Sequence, residues 1–93
     1  GRRRDPVVKG GVLHIVRRRA DALATAMIEE QSRRGRVGVV LVQDGIFADM
    51  PASAEVYVND EDVSARGVET VHRRVGYDEI ARFVVDASTV MVW

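Results

Sequence analysis

The sequence predicts an α/β domain, a small parallel sheet of about five strands with helices on both faces in three layers. Three observations carry that expectation. The run Val37–Val42 has no polar alternation and is rich in β-branched valine, the character of a strand buried on both faces. Stretches with helical spacing, capping residues and glycine stops separate the apolar runs. The two kinds of segment then alternate along the chain, the order that brings strands together in parallel through helical connections.

Taken in order, residues 1–11 open with Arg2-Arg3-Arg4 and include Pro6 and the pair Gly10-Gly11, so a flexible N-terminal segment is expected there. Residues 12–93 then form a single domain. Val12–Val16 is the first strand, and its aliphatic neighbours make His14 a sheet-face residue rather than a ligand. Asp21 can cap a helix that begins near Ala22 and ends around Arg33-Arg34-Gly35. Its helical rhythm runs through Ala22, Leu23, Ala26, Met27 and Glu30. After Val37–Val42 come the polar turn Gln43-Asp44-Gly45 and a short helical turn over Ile46–Met50. Ala54–Val58 reads as a strand exposed on one face, with Glu55 and Tyr57 on the same side. Asn59 or Asp60 can cap a short helix, Glu61–Arg66, closed by Gly67. A short strand is expected within Val68–Val75, broken by Gly76. Residues 77–87 form a last helix facing inward with Ile80, Phe83 and Val84, and Thr89–Trp93 is the terminal strand.

Composition narrows the chemistry. The 93 residues suit one modest core, and the longest uncharged apolar run is six residues, so neither a membrane span nor a signal peptide is expected. There is no cysteine, which removes disulfides, thiolate ligands and any thiol nucleophile of the chain's own and agrees with a cytoplasmic location. The zero net charge hides a division: residues 1–36 carry a net +6 and residues 37–93 a net −6. That asymmetry either steers a partner of matching field or keeps an arginine-rich chain soluble.

Sites in open parallel sheets lie at the carboxyl ends of strands, which directs attention to Gln43–Phe47 after the central strand and to Arg17–Arg19 after the first. Arg17, Arg18 and Arg19, with Gln43 and Asp44 nearby, are the candidates for holding an anion or an RNA backbone. A solvated or interfacial loop explains the same three arginines. No aromatic residues are interleaved to stack bases, so an RNA contact would be led by the backbone and shared with other subunits. Phe47, Tyr57 and Trp93 are core or interface candidates, and Trp93, the only tryptophan, either covers its own sheet edge or anchors a subunit contact. No dinucleotide loop, phosphate-loop lysine, HExxH or calcium loop is present, and His14 and His72 are the only histidines. No catalytic residue, metal or cofactor is assigned.

Four segments together carry a family resemblance: Leu13-His14-Ile15-Val16-Arg17; Val39-Val40-Leu41-Val42-Gln43-Asp44-Gly45-Ile46; Val56 through Gly67, VYVNDEDVSARG; and Gly76-Tyr77-Asp78-Glu79-Ile80 with Val90-Met91-Val92-Trp93. The chain resembles the DsrH/TusB family of the DsrE/DsrF/DsrH-like sulfur-relay proteins over nearly all of residues 12–93. The resemblance implies a small parallel sheet flanked by helices and a cytoplasmic subunit of a sulfur-transfer complex. In that family, TusB-like chains join two related subunits that relay persulfide sulfur toward 2-thiolation of the tRNA wobble uridine, and DsrH-like chains serve sulfur oxidation. Some members carry a cysteine in the region matching Arg17–Ala24. This chain has none, so the implied role is non-catalytic, alongside cysteine-bearing DsrE/DsrF-like partners and with tRNA reached only through the assembled complex. The alternative is a stand-alone, homo-oligomeric module that binds an anion or RNA through the Arg17–Arg19 loop.

Overall fold

The computed structural model describes residues 10–93. Most of the expected N-terminal segment, including Arg2–Arg4, lies outside the described residues. Its last two residues, Gly10 and Gly11, are bonded to the far end of the chain: the Gly10 amide donates to the Asp86 carbonyl at 2.9 Å, and the Ser88 amide donates to the Gly11 carbonyl at 2.9 Å.

The elements are β1 (Val12–Val16), α1 (Ala22–Ser32), β2 (Val37–Leu41), a 3₁₀ turn (Gln43–Phe47), β3 (Glu55–Asn59), α2 (Asp60–Arg66), β4 (Arg73–Val75), α3 (Tyr77–Asp86) and β5 (Thr89–Val92). All pairings are parallel, and the five strands lie in the order β4-β3-β2-β1-β5. From β1 to β4 the chain advances in one direction, and α1, the 3₁₀ turn with the residue that follows it, and α2 cover one face through Ile28, Ala48 and Val63. The return from β4 to β5 runs the other way, and with one hand of crossover that sends α3 to the opposite face, where Ile80 and Phe83 pack. The expected three-layer α/β/α architecture is the one observed.

Register assigns every strand residue to a face. Val92, Ile15, Val40 and Tyr57 form one row beneath α3. His14 and Val16 point the other way, toward α1. Every residue of β2 is buried, as its uninterrupted apolar sequence requires. Local caps match the sequence signals closely. The Asn59 side chain accepts from the Asp62 amide at 3.0 Å to start α2, and Gly67 ends it with φ +63°, a conformation that favours glycine. The Asp21 side chain accepts from the Ala24 amide at 3.0 Å to start α1.

Four expectations need correction. The inward face of α1 is Ala24 and Ile28 with half-buried Gln31, whereas Leu23 is 65% exposed and Ala22, Ala26 and Glu30 face solvent. Alanine at 20, 22, 24 and 26 gives the helix too weak an apolar pattern to fix its rotation. The rotation follows the stripe 24, 28, 31, which also delivers Gln31 to a buried polar partner on β1. The exposed face expected of β3 is covered toward its carboxyl end: α3 crosses it, and Tyr57, a core or interface candidate, lies in the core with its ring 5.3 Å from that of Phe83. The helical turn after β2 falls on Gln43–Phe47 rather than Ile46–Met50. Val84, the third expected inward residue of α3, is 39% exposed.

Gly45 marks a close approach of two backbones. A Cβ there would lie 2.0 Å from the Val16 carbonyl oxygen and 2.7 Å from its carbon, both backbone atoms of β1 that cannot move independently of the sheet. Gly45→Ala is expected to destabilise the protein by about 3 kcal/mol or more in urea unfolding, the upper range for overpacking. Gly35→Ala, where a Cβ meets nothing within 4 Å, is expected to stay within about 0.5 kcal/mol of the parent.

Candidate functional site at the carboxyl edge of the sheet

The carboxyl ends of β1, β2, β3 and β5 bring together most of the residues singled out by sequence, but in two separate groups. The first group joins the turn after β2 to α2. Gln43 adopts φ +53°, the left-handed region that costs a side-chain-bearing residue about 1–2 kcal/mol. Its amide is thereby aimed at Asp62 and donates to Oδ2 at 2.7 Å. Arg66 closes the group, with Nε donating to Asp44 Oδ1 at 3.1 Å and Nη1 to Asp62 Oδ1 at 3.4 Å. Asn59 lies beneath them, fully buried, with its Nδ2 donating to the Val75 carbonyl at 3.4 Å. The side chains of Arg66 and Asp62 are 29% and 16% exposed, so this ion pair is better shielded than the Arg33–Glu30 pair at 64% and 52%.

The second group ties the end of β5 to β1. The Trp93 amide donates to the Ile15 carbonyl at 2.8 Å, and the Arg17 Nε donates to the Trp93 carbonyl at 3.2 Å. The Trp93 indole Nε1 donates to His14 Nδ1 at 2.9 Å, and His14 Nε2 lies 2.7 Å from Gln31 Oε1. Trp93 is half-buried and packs against the apolar core on the α1 side. Burial pushes His14 below the usual histidine pKa, opposed in part by the Gln31 hydrogen bond.

The three consecutive arginines do not converge on a common point of use. Arg17 serves the Trp93 carbonyl, Arg18 lies 3.7 Å from Asp21, and the Arg19 guanidinium sits 4.4 Å above the centroid of Phe47. The depression beside this loop, about 490 Å³, is lined by Arg19 and by Asp21, Glu29 and Asp49. One cation among three carboxylates does not favour an anion. Gln43 and Asp44 belong instead with α2, and Tyr57 lies within the core beneath α3. Among the described residues, no group of three or more His, Cys, Asp or Glu is placed to hold a metal ion, and no helix is long and apolar enough to cross a membrane.

Sequence reading passed over Asp62, Arg66 and Gln31 as site residues. Asp62 and Arg66 had a local signal, an acid and an arginine four apart on one helix face. Their reach to Gln43 and Asp44, about twenty residues earlier, had none.

The Gln43–Asp62 bond makes a double test. Asp62→Ala is expected to cost about 2 kcal/mol, through loss of a shielded charge-assisted hydrogen bond, and Asp62→Asn about half as much. Gln43→Gly is expected to be neutral or to stabilise by up to about 1 kcal/mol, since relief of the left-handed backbone outweighs the added chain entropy. Urea denaturation at neutral pH checks all three.

The sequence matches no protein-family model, and no curated protein matches it.

Proposed function

We propose that the chain is a cysteine-free, non-catalytic subunit of a sulfur-relay complex of the DsrH/TusB kind. One observation carries this reading: the distant segments on which the resemblance rests pair off in space. The segment holding Gln43-Asp44-Gly45 meets the segment holding Asp62 and Arg66 through the Gln43–Asp62 and Arg66–Asp44 hydrogen bonds. The segment holding His14 and Arg17 meets Trp93 through the His14–Trp93 and Arg17–Trp93 bonds. Residues far apart in sequence thus form two internally satisfied units, which suits a subunit whose part is to present a fixed shape. With no thiol in the chain, persulfide sulfur would stay on cysteines of related DsrE/DsrF-like partners. The relay would run in the cytoplasm toward tRNA wobble-uridine thiolation or sulfur oxidation, with tRNA met by the whole assembly.

Uncovered apolar groups add support. Val92 on β5 is 57% exposed, and on α3 Val85 is 80% and Tyr77 55% exposed. A partner that covers β5 and α3 would bury them. The anion-binding reading has weaker support, since each of Arg17, Arg18 and Arg19 already has its own neighbour.

Affinity capture from the source organism's lysate, followed by native mass measurement, tests the proposal. Two small cysteine-bearing α/β proteins in equal amounts with the chain are the expected result, and Val92→Glu is expected to weaken their capture at least about tenfold while leaving the far-ultraviolet spectrum unchanged. Recovery of the chain alone or only as a self-assembly overturns it. Salt-dependent RNA binding lost in Arg18→Ala/Arg19→Ala would establish the alternative instead.

A further inference from the structure

His14 sits in the middle of β1 and is 0% exposed, yet both of its ring nitrogens are engaged, in opposite senses. Trp93 Nε1 can only donate, so His14 Nδ1 must carry no proton. A neutral imidazole then has its proton on Nε2, and Gln31 must turn its Oε1 toward it. The indole fixes the tautomer, and the tautomer fixes the amide. The two ring planes differ by 16° with centroids 6.1 Å apart. With the two nitrogens only 2.9 Å apart, closer than stacked rings approach, the rings meet edge to edge in nearly one plane. Neither ring offers its face to the other, so a charged imidazole gains no cation–π contact.

Among the described residues, none offers an imidazolium a free counter-charge. On β2, the register partner is Val39, and on β5 it is Met91. On α1 the inward residues are Ala24, Ile28 and Gln31. The charged groups of that helix are turned away: Glu29 is exposed, Glu30 is exposed and bonded to Arg33 and Arg34, and Asp21 is occupied with the helix cap. Of the other charges near the two ends of β1, Arg17 lies beside Trp93, Arg34 is paired with Glu30, and Arg36, which shares a shallow pocket with Val12 and Gln31, is held bidentately by Glu55, so that carboxylate is spent on its own partner.

We propose that His14 and Trp93 form a pH-sensitive latch. A proton added at His14 Nδ1 turns the acceptor into a donor that faces the indole N–H, and the Trp93 ring swings out of its seat between β1 and α1. The latch does not depend on the sulfur-relay reading. Its direction follows from burial, which holds the His14 pKa below the usual value of about 6.5. The latch is closed above that value and opens as pH falls from it through the folded-state pKa. In the same window the unfolded chain binds the proton more readily than the folded one, so the stability this arrangement contributes is also lost as pH falls.

Trp93 is the only tryptophan, so its emission reports the latch directly. On titration of the full chain from about pH 8 to about pH 4.5, emission is expected to shift to the red and acrylamide quenching to rise at least about twofold, with far-ultraviolet dichroism unchanged. The transition is expected to persist in His72→Ala and to vanish in His14→Gln. A transition unchanged in a folded His14→Gln protein overturns the proposal. Imidazole ¹⁵N shifts of the parent provide a second measurement that needs no His14 variant. An Nε2–H tautomer titrating with the emission midpoint is expected; an Nδ1–H tautomer, or a His14 pKa above about 6.5, overturns the latch.

Discussion

The close approach of two strand ends constrains the rest of this molecule. β2 is buried along its whole length, so the chain leaving it must turn at once or carry unpaired backbone groups into the core. The turn is made against β1. The Val42 amide donates to the Val16 carbonyl at 3.0 Å, and Gly45 comes so near the same oxygen that no side chain fits. Gln43 absorbs the bend in a left-handed backbone. Strain of about 1–2 kcal/mol persists only where neighbouring contacts hold it. Here Asp62 accepts the amide that the strain exposes, and Arg66 steadies Asp62. The geometry of the central strand therefore reaches through the turn to the first turn of α2.

The same logic separates the polar contacts that shape the fold from those that decorate it. Arg33 and Arg34 with Glu30, and Arg73 with Glu79, are exposed pairs of the sort that contribute little in water. Asn59 and His14 are buried and Asp62 is half-buried, and each is bonded to groups outside its own element. No buried side-chain polar atom lacks a partner among the described residues. In a small domain with a thin apolar layer on each face of the sheet, such satisfied polar contacts specify which element meets which, while the aliphatic rows supply most of the burial.

Most of the fold was legible because its signals are local. Val12–Val16 was bounded to the residue, the Asn59 and Gly67 caps bracket α2, and the alternation of strand and helix implied both covered faces. What failed was orientation. The turn of α1 about its axis depends on Gln31 reaching His14, a contact across seventeen residues with no trace in an alanine-rich helix. One face of β3 looked exposed because the strand alternates, but whether α3 crosses that face depends on the return connection to β5. At the candidate site, each half of both groups was visible in sequence as a short motif. That Gln43 meets Asp62, or His14 meets Trp93, is a property of the sheet order alone.

Trp93 is held by three bonds that differ in their response to acid. Its backbone N–H donates to the Ile15 carbonyl as part of the sheet ladder, and the Arg17 guanidinium holds its carbonyl. Only the indole is held by a histidine. Loss of that one bond therefore frees a side chain without detaching the strand, because the backbone on either side of the ring keeps its tethers. The change is confined to the surface on the α1 side of β5, and it exchanges a packed indole for an exposed one. A large aromatic at the edge of a sheet is the kind of group on which subunit contacts depend. A protein that keeps its fold while altering that one surface would adjust what it binds before it lost its structure.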